Sequence, residues 1–346
     1  MMHDRPVGPG HPCLVIAEAG INHNGDMALA HDLIDAAADA GADACKFQNF
    51  RTEDFISDRS LMYEYRSQGT AVTESMFDMF KRCELDPAAL TDLREHCERR
   101  DLVFLSTPSS AEGIRDLVAA GANAVKNGSD YLTNLPLVEA MGASGLPTIL
   151  STGMSQVAEI DDAVEAFRLG GGKELVLLHC TSAYPTSAND VNLRKIPTLA
   201  ATFGIPIGFS DHTEGTVAAA AAVALGACVV EKHFTLDHSM PGPDHWFSSD
   251  PADLAALVQA VHTVEAQLGT ASLGPTATEA AARRDFRLSC VAAEDLPAGR
   301  QLTEADVAFR RPGTGLPPKA RPWLVGRVLR IPAPIGTVLT FEHFRE

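Results

Sequence analysis

The stretch Ile205–Phe234, IPIGFSDHTEGTVAAAAAVALGACVVEKHF, decides how this chain folds. Two short β-type apolar runs, IPIGFS and CVVEKHF, flank GTVAAAAAVALGA, an alanine-rich segment of helix formers, so the stretch reads strand, helix, strand. Both runs end in polar groups, Ser210 to His212 in one and Glu231 to His233 in the other.

Working outward, the same unit recurs. CLVIAEA, ACKFQ, LVFLST, NAVKNGS, TILSTG and LVLLHC precede it, separated by segments of helical period such as MALAHDLIDAAADAGA and AALTDLREHCERR. Eight strand–helix units predict an α/β fold, a closed (β/α)8 or TIM barrel, which commonly uses about 250 residues. The rival, a doubly wound open sheet, would place G-x-G-x-x-G after the first strand, and CLVIAEA is not followed by one.

After the last helical segment, PADLAALVQAVHTVEAQLG, the texture changes to a small-residue linker, TASLGPTATEAAA, and then to short strands punctuated by Pro and Gly. The expected organisation is a barrel over residues 1–272, a linker over 273–285 and a small, mostly β domain over 286–346.

The net charge of −17 argues against nucleic-acid binding, which needs basic faces. The charge is uneven: residues 286–346 carry +3 and the remainder −20, so the two parts attract. An anionic small substrate stays compatible if cations concentrate in one pocket. No apolar run approaches the roughly 20 residues of a membrane helix, and MMHDRPVGPGHP lacks the basic-then-apolar pattern of a secretory signal. The seven cysteines form no C-x-x-C pair and read as buried thiols of a cytoplasmic protein.

In a (β/α)8 barrel the chemistry sits at the C-terminal strand ends. Those ends carry Glu18, Lys46 with Gln48, Thr107, Lys126 with Ser129, Ser151 with Thr152, Thr181 to Tyr184, Ser210 to His212, and Glu231 to His233. A single strand-end lysine ordinarily snorkels to solvent. Two of them with several hydroxyls aimed at one mouth suit a phosphate or carboxylate instead.

His212 and His233 end neighbouring strands, and imidazoles so placed can share one divalent cation; a lone histidine there would be a hydrogen-bonded structural residue. Glu18 is a candidate acid–base group or an anchor for metal-bound water, its plain alternative being an ion pair with a lysine. His23 in INHNG reads as structural. His238 and His245 read mainly as loop-ordering, with His245 the better candidate for substrate contact. Pro241 and Pro243 stiffen the loop that carries Asp244 toward the barrel mouth.

In this order IAEAGINHNG, KFQ, STP, STGM, LLHCTSAYP, GFSDHT, EKHFTLD and PGPDH closely resemble the sialic acid synthase (N-acetylneuraminate synthase) family, and the tail, with DLPAG and FRRPGTG, resembles that family's antifreeze-like (SAF) domain. The resemblance covers nearly the whole chain. It implies condensation of phosphoenolpyruvate with the aldehyde of an open-chain amino sugar, N-acetylmannosamine or a modified relative, giving a 2-keto-3-deoxy sugar acid of the nonulosonic type and phosphate. It also implies a domain-swapped homodimer.

Position by position, the resemblance implies that His212 and His233 bind a divalent metal, Mn2+ or Mg2+. Lys46, Thr107, Lys126, Ser129, Ser151, Ser182 and Ser210 match residues around phosphoenolpyruvate, with Gln48 and Tyr184 lining the same pocket. Glu18 matches a carboxylate near the metal and the reacting carbon, Asp244 one that binds sugar hydroxyls, and Arg311 an arginine that a partner subunit lends to the sugar's N-acyl group. Glu18, Lys46, Lys126, His212 and His233 are therefore the expected catalytic set.

Three departures stand out. Where relatives read Gly-Glu or Gly-Asp after KNGS, this chain has Asp130-Tyr131, so Tyr131 replaces an acidic side chain expected near the metal and sugar unless Asp130 reaches in from one residue earlier. RSQGTAVTES has Gly69-Thr70-Ala71 where Gly-Asn is expected. Asn127 replaces a usually apolar residue, with no account in the sequence. The first two predict that the acceptor is not plain N-acetylmannosamine, or binds in an altered way. The alternatives are a related synthase using a phosphorylated or non-acetamido sugar and, in another class, an inactive sugar-binding relative. A metal-dependent hydrolase would show an early H-x-H, and an ice-binding tail rests on the domain's name alone.

Overall fold

The structure, a computed structural model, describes residues 5–344. It divides into two compact units, 1–269 and 270–346.

The first unit is a closed barrel of eight parallel strands: β1 (Leu14–Gly20), β2 (Ala44–Asn49), β3 (Val103–Pro108), β4 (Ala124–Lys126), β5 (Thr148–Ser151), β6 (Leu175–Cys180), β7 (Ile207–Asp211) and β8 (Val229–His233). Around it run α1 (Met27–Asp39), α2 (Pro87–Arg99), α3 (Ala111–Ala120), α4 (Leu135–Ala143), α5 (Val157–Leu169), α6 (Lys195–Phe203), α7 (Val217–Ala224) and α8 (Pro251–Leu268). Each strand pairs with its neighbours in sequence, and β8 closes on β1. The eight apolar runs are these strands. The helices start where short polar side chains satisfy free N–H groups: Asp26, Asp86, Ser110, Asn134 and Asp250 each accept a backbone bond from the first turn.

Strands covered on both faces divide their apolar residues between two cores. Leu14, Ile16, Ala44, Val103, Leu105, Ala124, Ile149, Val176, Leu178 and Val229 fill the barrel, and the alternate residues pack under the helices. Gly208 belongs to the inner set: a Cβ there would lie 2.5 Å from Leu178 Cδ2 and 2.7 Å from Val229 Cβ.

The connection from β2 to α2 carries an element that the strand count did not anticipate, a hairpin of Met62–Ser67 and Thr70–Ser75. Its two-residue turn has Gln68 at φ 51° and Gly69 at φ 76°, the left-handed pair that matches strand twist. The short helix Met76–Lys81 follows.

In the second unit the antiparallel pair β9 (Ser289–Ala292) and β10 (Val307–Arg310) joins isolated bridges, such as Val291 with Val338, around a core including Cys290, Leu302, Leu324, Leu329 and Leu339. The segment expected as linker holds an exposed helix, α9 (Glu279–Phe286), formed by the helix-favouring EAAARR. All seven cysteines are buried and free. Among the described residues no helix is long and apolar enough to cross a membrane.

Candidate active site

Period two along each strand builds the site. The inner-core residues Leu14 and Ile16 are followed at the same parity by Glu18, Ala44 by Lys46 and Gln48, Leu105 by Thr107, Ala124 by Lys126, Ile149 by Ser151, Leu178 by Cys180, Gly208 by Ser210 and His212, and Val229 by Glu231 and His233. Strand register then makes neighbours: Glu18 lies opposite Lys46 on one side and His233 on the other, Gln48 opposite Thr107, and Ser210 opposite both Cys180 and Glu231. These side chains line one cavity of about 530 Å³ at the C-terminal mouth, joined from the loops by Ser129, Asp130, Tyr131, Ser182, Tyr184 and Asp244.

Both lysines are buried, at 2% and 4% exposure, so snorkelling is ruled out. Lys46 Nζ lies 2.6 Å from Glu18 Oε2 and 3.8 Å from Glu231 Oε2, and donates to Thr107 Oγ at 3.0 Å. Lys126 Nζ lies 3.4 Å from Glu231 Oε1 and donates to the Asn127 carbonyl. Burial alone would lower Lys46, but the Glu18 and Glu231 carboxylates overcome it and keep the ammonium charged.

The two carboxylates are pushed apart. Burial would raise Glu231, but Lys126 and Lys46 outweigh it and hold it at about 2. Glu18 is raised by burial, against the pull of Lys46, with further upward pressure from Glu231. One is a fixed anion and the other a group able to take a proton. Glu231 received no role from the sequence, although counting by two from Val229 reaches it. Its other neighbour, Lys232, points outward into a buried pair with Asp211 at 2.9 Å.

Beside the lysines lies a cluster of hydroxyls. Ser129 donates to Ser151 Oγ at 3.1 Å and accepts the Gly153 N–H at 3.2 Å, while the buried Ser182 hydroxyl has no protein partner. A Cβ on Gly153 would stand 2.5 Å from Ser182 Oγ and 2.6 Å from Ser129 Oγ, so only glycine lets the hydroxyls converge. Asn127 now has a structural account. Its Oδ1 accepts the Ser151 N–H at 2.7 Å, which holds the end of β5 against the short β4.

The His212 and His233 rings are 5.4 Å apart, with the Tyr184 ring tilted against His212 at 4.1 Å. His212 Nδ1 faces the Thr181 carbonyl at 2.8 Å, which fixes its proton there. Ser210 gives its proton to Glu231 at 2.8 Å and so supplies none to His212 Nε2. His233 Nδ1 is buried without a hydrogen-bond partner. Burial, with His212 beside it, pushes His233 well below its ordinary value, which keeps the ring neutral. Burial lowers His212, but Cys180, the Thr181 carbonyl and Glu231 outweigh it and raise it. The two imidazoles beside two carboxylates fit a divalent cation once His212 gives up its second proton. Cys180, 3.9 Å from His212 Nδ1, is lowered to about 7 because that imidazole outweighs burial.

Other histidines serve the scaffold. His245 is buried between Thr235 Oγ at 2.6 Å and Asn24 Nδ2 at 3.2 Å and does not line the cavity, whereas its neighbour Asp244 does. Burial lowers both His245 and His23 to about 4. His238 joins Asp250 and Asp253 in a surface cluster at the start of α8 whose ligand atoms lie within 4.8 Å of one another. Burial and the Glu18 charge raise Asp244 to about 7. In the second unit the exposed Arg311 donates to the Phe286 carbonyl at 3.1 Å and lies 5.1 Å over that ring.

Residues 33–272 match the model of the NeuB family, and residues 289–345 that of the SAF domain. An uncharacterised protein of Methanocaldococcus jannaschii is 41% identical over 327 residues, covering 94% of this chain and 93% of its own. The N,N'-diacetyllegionaminic acid synthase of Legionella pneumophila is 38% identical over 343 residues, covering 98% and 96%. The crystal structure of N-acetylneuraminic acid (sialic acid) synthetase from Leptospira borgpetersenii, in complex with citrate, superposes with a TM-score of 0.73 at 34% identity, over 81% of this chain and 93% of that one. A family match across most of the barrel, with relatives this similar along almost the entire length, means that this chain belongs to the NeuB family.

Proposed function

We propose that this protein condenses phosphoenolpyruvate with the aldehyde of an open-chain N-acyl amino sugar, yielding a 2-keto-3-deoxy sugar acid of the nonulosonic type and inorganic phosphate. The observation that carries this reading is the pair of buried lysines beside a hydroxyl cluster in which Ser182 has no protein partner, an anion site in a barrel that is otherwise acidic. Relatives named as synthases of diacetyllegionaminic and sialic acids support the same reaction class.

Lys46, Lys126, Thr107, Ser129, Ser151, Ser182 and Ser210 would hold the phosphate and carboxylate of phosphoenolpyruvate, with Gln48 and Tyr184 closing the sides. Held so, its C3 faces the aldehyde, and such positioning accounts for much of the rate enhancement. C3 attacks the aldehyde carbon, water adds at C2, and C–O cleavage expels phosphate and leaves the ketone. Glu18, the raised carboxyl of the pair, would hold a proton at the reacting centre, while Glu231 stays an anion beside both lysines.

His212 and His233 would hold Mn2+ or Mg2+, which when bound supplies Lewis acidity to the aldehyde oxygen. Asp244 and Tyr131 would contact the sugar. Arg311 would come from the partner of a domain-swapped homodimer, an arrangement consistent with the opposite charges of the two parts of the chain. Free cysteines throughout suit the cytoplasm.

The test is phosphate release from phosphoenolpyruvate with Mn2+ across N-acetylmannosamine, mannose and diacetamido-6-deoxyhexoses. Release with one acceptor, abolished by a chelator and by His233→Ala, is the expected result. Release that survives both would remove the metal role, and silence with every acceptor would leave a binding protein.

A further inference from the structure

The cavity's lining is unlike at its two sides. The strand ends contribute both lysines, two of the four carboxylates and both histidines, whereas the excursion between β2 and α2 contributes Phe55, Tyr63, Met76, Met79 and Phe80. Phe55 and Phe80 pack edge to face at 5.0 Å, each against Phe50, which makes that wall rigid. Tyr63 stands on the hairpin, stacked on Tyr65 at 5.7 Å; the Tyr65 hydroxyl donates to Glu74 at 2.6 Å, and Arg82 grips the same carboxylate through two bonds of 2.6 Å.

The hairpin is also tied to the loop that carries Asp244. Gly242 N–H donates to Ser67 Oγ at 3.2 Å, Gln68 Nε2 donates to the Ser239 carbonyl at 3.0 Å, and the Arg66 guanidinium lies 6.0 Å from the Trp246 ring. The hairpin that carries Tyr63 and the loop that carries Asp244 are therefore joined directly. Burial and the nearby Asp244 charge raise the Tyr63 phenol above its ordinary value, which keeps it a neutral hydrogen-bonding group.

Resting on the synthase reading, we infer that Tyr63 and the apolar wall behind it select the acceptor, taking acyl and deoxy groups at the end of the sugar remote from its aldehyde and excluding an acceptor phosphorylated there. Among the described residues, Lys46 and Lys126 are the only lysine or arginine side chains lining the cavity, and both are engaged at the strand ends. A phosphate against the wall loses its water and gains no cationic partner, and a hydroxyl there has the Tyr63 phenol alone. A methyl or acetyl group there gains contact instead, while Asp244 takes the remaining hydroxyls.

The experiment measures phosphate release at saturating phosphoenolpyruvate and Mn2+ with three acceptors: N-acetylmannosamine, its 6-phosphate, and a diacetamido-6-deoxyhexose of the same configuration. Wild type, Tyr63→Ala and Tyr63→Phe are compared, with thermal melts to establish folding. Tyr63 is 36% exposed, so its truncation opens no sealed core. The deoxy acceptor is expected to lead N-acetylmannosamine by about tenfold or more in kcat/KM, as apolar pockets allow, with the phosphate ester at background. Tyr63→Ala should erase most of that lead by raising KM for the deoxy acceptor, and Tyr63→Phe should preserve it. Equal losses on both acceptors in Tyr63→Ala, or best turnover of the phosphate ester, would overturn the wall's role and leave the synthase standing. Absence of release with all three, together with no shift of the melt by phosphoenolpyruvate, would overturn the synthase reading and the wall with it.

Discussion

At the scale of single residues the site depends on groups whose ionisation the fold has moved. If Asp244 binds the acceptor's hydroxyls, it holds them most strongly as a carboxylate, and burial with the Glu18 charge raises it from 3.8 to about 7. Acceptor kcat/KM should therefore rise with pH through about 7, and Asp244→Asn should flatten that limb; a limb unchanged in the variant would move it to another group. The linkage to stability has the opposite sense. A folded pKa above the unfolded one means proton uptake on folding, so this contribution is present at low pH and is lost as pH rises from 3.8 to about 7. Residue identity at the strand ends was legible because a polar side chain closing an apolar run has few other reasons to be there. Glu231 was missed because it reads as part of a charged triplet, Glu231-Lys232-His233, whose members face opposite ways: Lys232 outward to Asp211, the other two inward. Parity, rather than composition, separates them.

At the scale of elements the barrel's narrow interior decides what each strand presents. Gly208 gives β7 room between β6 and β8, since a Cβ would meet Leu178 Cδ2 at 2.5 Å and Val229 Cβ at 2.7 Å. Gly208→Ala should cost about 1–3 kcal/mol by overpacking, read as a lower denaturation midpoint at unchanged slope. Because Ser210 and His212 follow on the same strand, metal affinity should weaken alongside; a variant of normal stability would show that the strands can part at no cost. Elements also mark where sequence reading ran short. The eight strands announced themselves as apolar runs, but the hairpin is exposed, mixed in composition and signalled by the two-residue turn at Gln68-Gly69 alone. As sequence, the stretch shows only the lack of an expected Gly-Asn, and nothing in it announces a folded hairpin beside the cavity.

At the scale of the whole molecule the chain consists of two units, each with its own core and of opposite formal charge over residues 286–346 and the remainder. If Arg311 serves the neighbouring subunit's barrel, inactive variants must complement. A mixture of His233→Ala and Arg311→Ala subunits, exchanged under mild denaturation and refolded together, should regain activity well above either alone, because one site in each mixed dimer is intact. A mixture as inactive as its components, from a sample of confirmed dimeric mass, would place Arg311 in its own subunit's site or outside the reaction.

The order of strands and helices, the closed barrel and the identity of nearly every polar group at its mouth follow from local pattern, since an apolar run of fixed period and a polar terminus are properties that the chain carries residue by residue. Tertiary structure alone decided which of those groups meet. The pairing of Glu18 with Lys46, the sharing of Glu231 by two lysines, the opposed shifts of the two carboxylates and the docking of the hairpin on the Asp244 loop all depend on distances between residues far apart in sequence. Register and closure set those distances, and burial at the bottom of the mouth turns them into electrostatics, because a charge removed from water answers to whichever neighbours the fold has placed beside it.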